Sequence, residues 1–363
     1  MVYEYRYNLS FFDYNINMSY LMEEEINSQS EIIQNLIDKY IVNYCFMPNL
    51  PLDIKKIVIV ASGSSYNAAL FGKYFFENIA NIECFVEYAS EFSSAKFSNY
   101  DKNSLYIFVS QSGNSVDTVL SVSKLKQKGC KTLCVTNNTN SEMFKMSDFQ
   151  FYIYAGKEKA IAATKTFSAS VTMLWILACK IAQNKHIDMT DEIKNIYSIK
   201  NSIENTIQNI QNLDMAAKII SKQKEFSICG AGYNYPLSRE AALKIKETSY
   251  INTSSYPLGE FIHGHFAILN KSKIFLTFLT EDCEKFEIEL LDKIFSTYKA
   301  KSIVISDSFD KIDCDCLIKI PKSQSKIATI LSMIIAVQML ALKVATRLKR
   351  NVDKPSGLVK IVK

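Results

Sequence analysis

The sequence is poor in groups that bind metals or cross-link secreted proteins. It has only three histidines in 363 residues, and none of its nine cysteines forms a CxxC pair. The nearest cysteines, Cys130/Cys134 and Cys314/Cys316, lack the spacing of a structural zinc site. An odd, scattered set of thiols fits a reducing compartment, so a cytoplasmic protein is expected. His263 and His265 lie close together, but only His186 remains elsewhere and no convincing third ligand accompanies them. No metal is therefore expected. The start, "MVYEYRYNLSFFDYNIN", is aromatic and polar, without the charged and then aliphatic stretch of a secretory leader. The two most apolar stretches, 168–182 and 327–345, are interrupted by Lys or Gln before membrane-spanning length and read as buried helices, so no membrane partner is expected. The net charge of +5 is spread along the chain. Without a basic stripe, nucleic acid is not an expected partner.

The chain does have ample apolar material, 48% of its residues, and a length beyond that at which one core usually stops growing. Two domains are expected. Short β-rich runs alternate with helical ones: 56–60, 82–86, 105–109, 132–135 and 149–153, then 226–229, 253–256, 274–278, 303–305 and 317–320. "IVIVASGSSYNAAL" and "FSICGAGYNYPLSREAAL" share a strand, a small-residue turn with Gly, and a helix start. The pattern predicts an α/β fold of two tandem domains, each a doubly wound, five-stranded parallel sheet flanked by helices. The predicted divisions are an N-terminal extension (1–17), an N-terminal helix (18–50, its helical part 19–43), a first domain (51–185), a linker helix (186–213), a second domain (214–345) and a C-terminal tail (346–363). No G-x-G-x-x-G follows the first strand of either domain, which disfavours a dinucleotide.

In doubly wound sheets, ligands bind beyond the carboxyl ends of the strands. "SQSGNS", Ser110 to Ser115, follows a strand and opens a helix predicted over 116–128 and ended by Gly129. Free N–H groups there, joined by short hydroxyl side chains, suit a phosphate monoester. "SGSSYN", Ser62 to Asn67, repeats this chemistry after the first strand. Either serine loop alone reads equally as helix capping; two on one sheet favour a phosphate.

The second domain carries "REAALKIKETSY". Glu240, Lys244 and Glu247 share one helical face, which a solvated salt-bridge ladder would also explain. Glu247 sits in the last turn, where the helix dipole opposes a carboxylate, and this suits a general base. His263 and His265 follow in "PLGEFIHGHFAIL" and read as packed histidines as readily as catalytic ones. Lys360, in the tail "NVDKPSGLVKIVK", reads by composition as a solvated end.

These residues resemble the phosphosugar isomerases with two sugar-isomerase (SIS) domains. That family includes the isomerase half of glucosamine-fructose-6-phosphate aminotransferase, SIS-type glucosamine-6-phosphate deaminases and fructosamine-6-phosphate deglycases. The resemblance spans roughly 19–363 through "GSSYNAA", "SQSGNSVDT", "EKAIAATKTF", "EAALKIKETSYI", "GEFIHG" and "DKPSGLVK". It implies a phosphosugar held by Gly63, Ser64, Ser65, Ser110, Gln111, Ser112, Ser115, Ala162 and Ala163, with Lys244 near the sugar. It also implies that Glu247 moves a proton between C1 and C2 and that His263 assists ring opening, commonly across a dimer interface. Lys360 would reach the open-chain carbonyl or close the site, where a partly neutral amine can form an imine.

Departures from the pattern narrow the expectation. Val2 stands where the aminotransferase has the cysteine of a glutaminase domain, so ammonia delivery from glutamine is not expected. Ala163 and Ser356-Gly357 look like the deaminase and deglycase branches, Ser62 replaces a frequent cysteine, and His265 stands where most members have proline. Residues 1–17 match nothing, and Met18 is a candidate initiator. The expectation is a cofactor-independent enzyme that converts glucosamine 6-phosphate and water into fructose 6-phosphate and ammonia, working as a homodimer. The alternatives are a deglycase of amino-acid conjugates of fructosamine 6-phosphate and a non-catalytic phosphosugar sensor, although no output element such as a DNA-binding helix pair is evident.

Overall fold

A computed structural model describes residues 20–51, 53–95, 100–270, 273–281, 283, 285–308 and 313–360. The extension 1–17 and Met18 lie outside the described residues. The first sheet comprises β1 (Lys56–Ala61), β2 (Glu83–Tyr88), β3 (Ser104–Ser110), β4 (Lys131–Thr136) and β5 (Phe149–Tyr152), all parallel and ordered β2-β1-β3-β4-β5. The second comprises β6 (Glu225–Gly230), β7 (Asn252–Pro257), β8 (Ile274–Leu279), β9 (Lys301–Ser306) and β10 (Cys316–Lys319), ordered β7-β6-β8-β9-β10. The two orders are the same, so the repeat read from the sequence is a repeat of topology. Each sheet reverses direction beside its first strand, and the crevice at that point is where such sheets hold ligands.

The central strands explain their own sequences. Every residue of β3 and of β8 is buried, as strands covered on both faces require. Helices supply the covering on both faces: Gly63–Asn78 and Lys165–Asn184 pack on one face of the first sheet and Val116–Gln127 on the other, while on the second sheet Asn234–Ser249, backed by Lys326–Arg347, lies opposite Lys285–Tyr298. By length and composition Lys165–Asn184 and Lys326–Arg347 could cross a membrane, contrary to the sequence-based reading. Their positions nevertheless agree with the predicted burial: 89% and 83% of their most apolar windows are inside the protein.

Two predicted helices are broken. The N-terminal one is Leu21–Asn27 and Gln29–Tyr40, followed by a small hairpin of Ile41–Val42 with Cys45–Phe46. Asn43 and Tyr44 turn that hairpin at positive φ, and β-branched Ile41 and Val42 leave the helix readily. The linker is not one helix over 186–213. His186 takes a positive φ, and the chain then forms Thr190–Lys194 and Ser198–Asn209 before Asn212, again at positive φ, admits Leu213–Ile220.

Three distant segments are tied together near the chain ends. Asp353 accepts the Leu21 and Met22 N–H groups at 3.1 and 2.9 Å, and its carbonyl accepts the Ile161 N–H at 3.0 Å. Buried Glu25 accepts the N–H groups of Lys159 and Ala160. The tail is thereby fixed before it reaches Lys360.

Candidate active site

A cleft of about 610 Å³ opens at the switch point of the first sheet, beyond β1 and β3. One wall is Ser62–Ser65, which starts the Gly63–Asn78 helix; another is Ser110–Ser112 with Ser115–Thr118. The stretch around Ile161, Ala163 and Thr166 adds a third. The second domain contributes Lys244 and Glu247, and the tail closes over with Leu358, Val359 and Lys360.

The serine loops are built for this position. Gly113 has φ +64, and a Cβ there would stand 2.2 Å from Ser141 Oγ, so the turn admits only glycine without displacement. Ser110 Oγ accepts the Gly113 N–H at 3.1 Å, and Asn138 Nδ2 donates to the Ser112 carbonyl at 3.1 Å. Ser62 and Ser115 occupy the N-cap positions of their helices, yet neither side chain makes a capping hydrogen bond. The capping explanation therefore fails for those two serines. Their hydroxyls lie on the cleft beside the positive ends of two helices.

The opposite wall carries the charges. Lys244 and Glu240 are buried, with side-chain exposures of 1% and 0%, so they are not the solvated ladder that spacing alone allows. Lys244 Nζ lies 3.5 Å from Glu240 and is hydrogen-bonded to Glu247, whose side chain is 23% exposed on the cleft. Ser64 Oγ and Asn67 Nδ2 donate to Glu240 at 3.0 and 2.8 Å. Burial pushes the Lys244 pKa down, but the carboxylates of Glu247 and Glu240 outweigh it and hold the ammonium charged. Burial pushes Glu240 up, opposed by Lys244 and Asn67. Glu247 is therefore an accessible carboxylate beside a fixed ammonium, an arrangement that can accept a proton from a carbon acid and return it.

The tail lysine is docked. Lys360 Nζ donates to Glu158 Oε2 at 2.5 Å and to the Ala160 and Ile161 carbonyls at 2.7 and 3.4 Å. Glu158 is buried and also accepts the Thr164 and Thr166 N–H groups and the Thr166 hydroxyl. Burial pushes the Glu158 pKa up, but Lys360 and these donors pull it below its ordinary value.

Of the residues singled out from sequence, Gly63, Ser64, Ser65, Ser110, Gln111, Ser112, Ser115, Ala163, Lys244, Glu247 and Lys360 meet on this cleft. Ala162 is buried and does not line it. His263 also lies outside the cleft, exposed just after the Leu258–Phe261 helix, with its N–H bonded to the Glu260 carbonyl at 3.0 Å. His265 packs on Tyr256, ring centroids 4.1 Å apart. Sequence reasoning missed Glu158, although it stands inside "EKAIAATKTF", because a buried carboxylate has no periodic signature. Among the described residues, no group of three or more His, Cys, Asp or Glu side chains is placed to hold a metal ion.

Comparison with known proteins supplies the identity of the fold. The profile described as SIS domain matches residues 52–180 and again 219–343. The chain belongs to the SIS domain family. Its first SIS domain bears the serine loops, and its second supplies Lys244 and Glu247. Glutamine–fructose-6-phosphate aminotransferase (isomerizing) of Aquifex aeolicus is 30% identical over 348 residues, covering 94% of this chain but 57% of that protein. The chain thus spans less than three-fifths of that relative. The C-terminal domain of glucosamine-fructose-6-phosphate aminotransferase from Francisella tularensis superposes with a TM-score of 0.86 at 28% identity, covering 93% of this chain and 99% of that one. Glucosamine-6-phosphate deaminase from Thermotoga maritima shares the fold, with a TM-score of 0.72 at 24% identity over 94% of this chain and 99% of that one.

Proposed function

We propose that this SIS protein is a glucosamine-6-phosphate deaminase, releasing fructose 6-phosphate and ammonia with water as co-substrate. The observation that carries the reading is the meeting of Glu247, its Lys244 partner and docked Lys360 on the cleft that the serine loops line. The hydroxyls and helix N-termini of those loops receive the phosphate. C1 and C2 of the open-chain sugar then point toward Lys244 and Glu247 of the second domain in this reading. Glu247 takes the C2 proton as the electron pair flows to the aldehyde oxygen, which takes a proton from water, giving an enolamine. Return of the Glu247 proton to C1 leaves an iminium at C2, which water hydrolyses to the ketone and ammonia; the proton released there neutralises the hydroxide left by the first step. Lys244 holds Glu247 in place, and the Lys360 ammonium favours the developing oxyanion. Every step balances without a cofactor. His263, exposed on the second domain, serves the cleft of a partner subunit in a cytoplasmic homodimer.

The test is ammonia release from glucosamine 6-phosphate, run beside glucose 6-phosphate release from an amino-acid conjugate of fructosamine 6-phosphate. Turnover of the first is expected, with Glu247→Gln reducing kcat by about 10²–10⁴-fold while phosphosugar affinity stays within about threefold. Turnover of the conjugate alone would make the protein a deglycase. Formation of glucosamine 6-phosphate only, from fructose 6-phosphate and ammonium, would align it with the isomerising half of the aminotransferases. Saturable binding without turnover of either would leave a sensor.

A further inference from the structure

A second cleft opens at the switch point of the second sheet, with walls from both domains. A cavity of about 540 Å³ lies beyond β6 and β8, the same switch point that the first domain uses at β1 and β3. Its framing elements correspond: the turn Ala231–Asn234 for Ser62–Ser65, Thr280 for Gln111, and the first turn of Lys326–Arg347 for that of Lys165–Asn184. The turns match in detail, with Gly63 at φ +57 and Gly232 at φ +53. A Cβ on Gly230, the last residue of β6, would lie 2.0 Å from the Asn234 carbonyl oxygen, so the second turn also requires glycine at its entry.

The chemistry differs. Tyr233 and Asn234 stand where Ser64 and Ser65 stand, and the walls are aromatic and acidic. Tyr74, Trp175 and Tyr233 line the cavity together with the carboxylates of Glu192 and Glu287, facing the ammonium of Lys326. Glu77 is at the rim and is paired with Lys73. Glu192 accepts the Trp175 indole N–H at 3.2 Å, and the Lys326 ammonium lies 5.1 Å from the Tyr233 ring centroid, so this ring already receives a cation on its face. Burial raises Glu192 and lowers Lys326, as a partly desolvated chamber would. A phosphate dianion meets an excess of carboxylate here, whereas an ammonium meets carboxylates and aromatic faces.

We propose that this second cleft binds a small amine-bearing molecule lacking a phosphate, a site separate from the phosphosugar cleft. The inference rests on the two-domain repeat and not on the deaminase reading. Trp175 is the only tryptophan in the chain, so its emission reports on this cavity in the intact protein. Unphosphorylated glucosamine, glucose and inorganic phosphate are titrated by fluorescence, with calorimetry on the same samples to catch binding that leaves the emission unchanged. Saturable glucosamine binding is expected, at least about tenfold tighter than glucose and without competition from phosphate. Glu192→Gln, which keeps an acceptor for the indole, should weaken it about tenfold, and Lys326→Met should tighten it several-fold; Glu247→Gln should leave it unchanged. Absence of glucosamine binding by both methods overturns the proposal. So does the reverse charge order, with phosphate bound and lost in Lys326→Met.

Discussion

Glu158 shows how one buried carboxylate can place a chain terminus. Five groups converge on it, from Lys360, Thr164 and Thr166, and the tail cannot dock without satisfying its charge. Its pKa is depressed in the folded protein from an ordinary value of 4.5. A carboxylate with a lowered folded pKa adds stability that is complete above its unfolded value and is lost as pH falls through the folded one. The stability gap between wild type and Glu158→Gln should therefore be full at neutral pH and narrow progressively below 4.5, as read from denaturant midpoints. A gap that does not change with pH would mean that the Lys360–Glu158 ion pair does not hold the tail. Glu158 also marks the limit of reading single residues from sequence. The serines, Glu247 and Lys360 were legible because their motifs carry them, whereas the need for a buried acid arises only when residues 158 and 360 meet.

At the scale of elements, the loop between β3 and the Val116–Gln127 helix is the most constrained part of the cleft. Gly113 combines a positive φ with a Cβ position already occupied by Ser141. Gly113→Ala should therefore cost about 1–3 kcal/mol of stability, from backbone strain plus displacement of Ser141. The same change should weaken phosphosugar binding, since the Gly113 N–H orients Ser110. Thermal melts and a binding titration on one preparation would check both, and an unchanged melting temperature would show that the turn relaxes freely. Strands were legible because β3 and β8 must be apolar on both faces, leaving a run that little else explains. The breaks at Ser28, Asn43 and Asn212 were not, because a single residue at positive φ or a lone serine within a helical pattern is a tertiary choice that periodicity does not record. Spacing alone left the Glu240–Lys244 pair open to a solvated-ladder reading for a related reason: a face that looks solvated on one helix is covered by the Gly63–Asn78 helix of the other domain.

At the scale of the whole molecule, one candidate catalytic residue is out of place within a single chain. Glu247 and Lys360 border the cleft, but His263 does not. If His263 acts on the cleft of a partner subunit, each site of a homodimer combines Glu247 of one chain with His263 of the other. Co-expression of Glu247→Gln and His263→Asn chains under different tags tests this directly. In a mixed dimer, one site carries both lesions and the other carries neither. Each variant alone should be nearly inactive, purified mixed dimers should recover about half of wild-type kcat per dimer, and an unsorted equal mixture about a quarter. A histidine acting within its own chain gives no recovery in any mixture, since every site then retains one lesion. Because the readout is restoration of activity, a general loss of folding in either variant cannot imitate it.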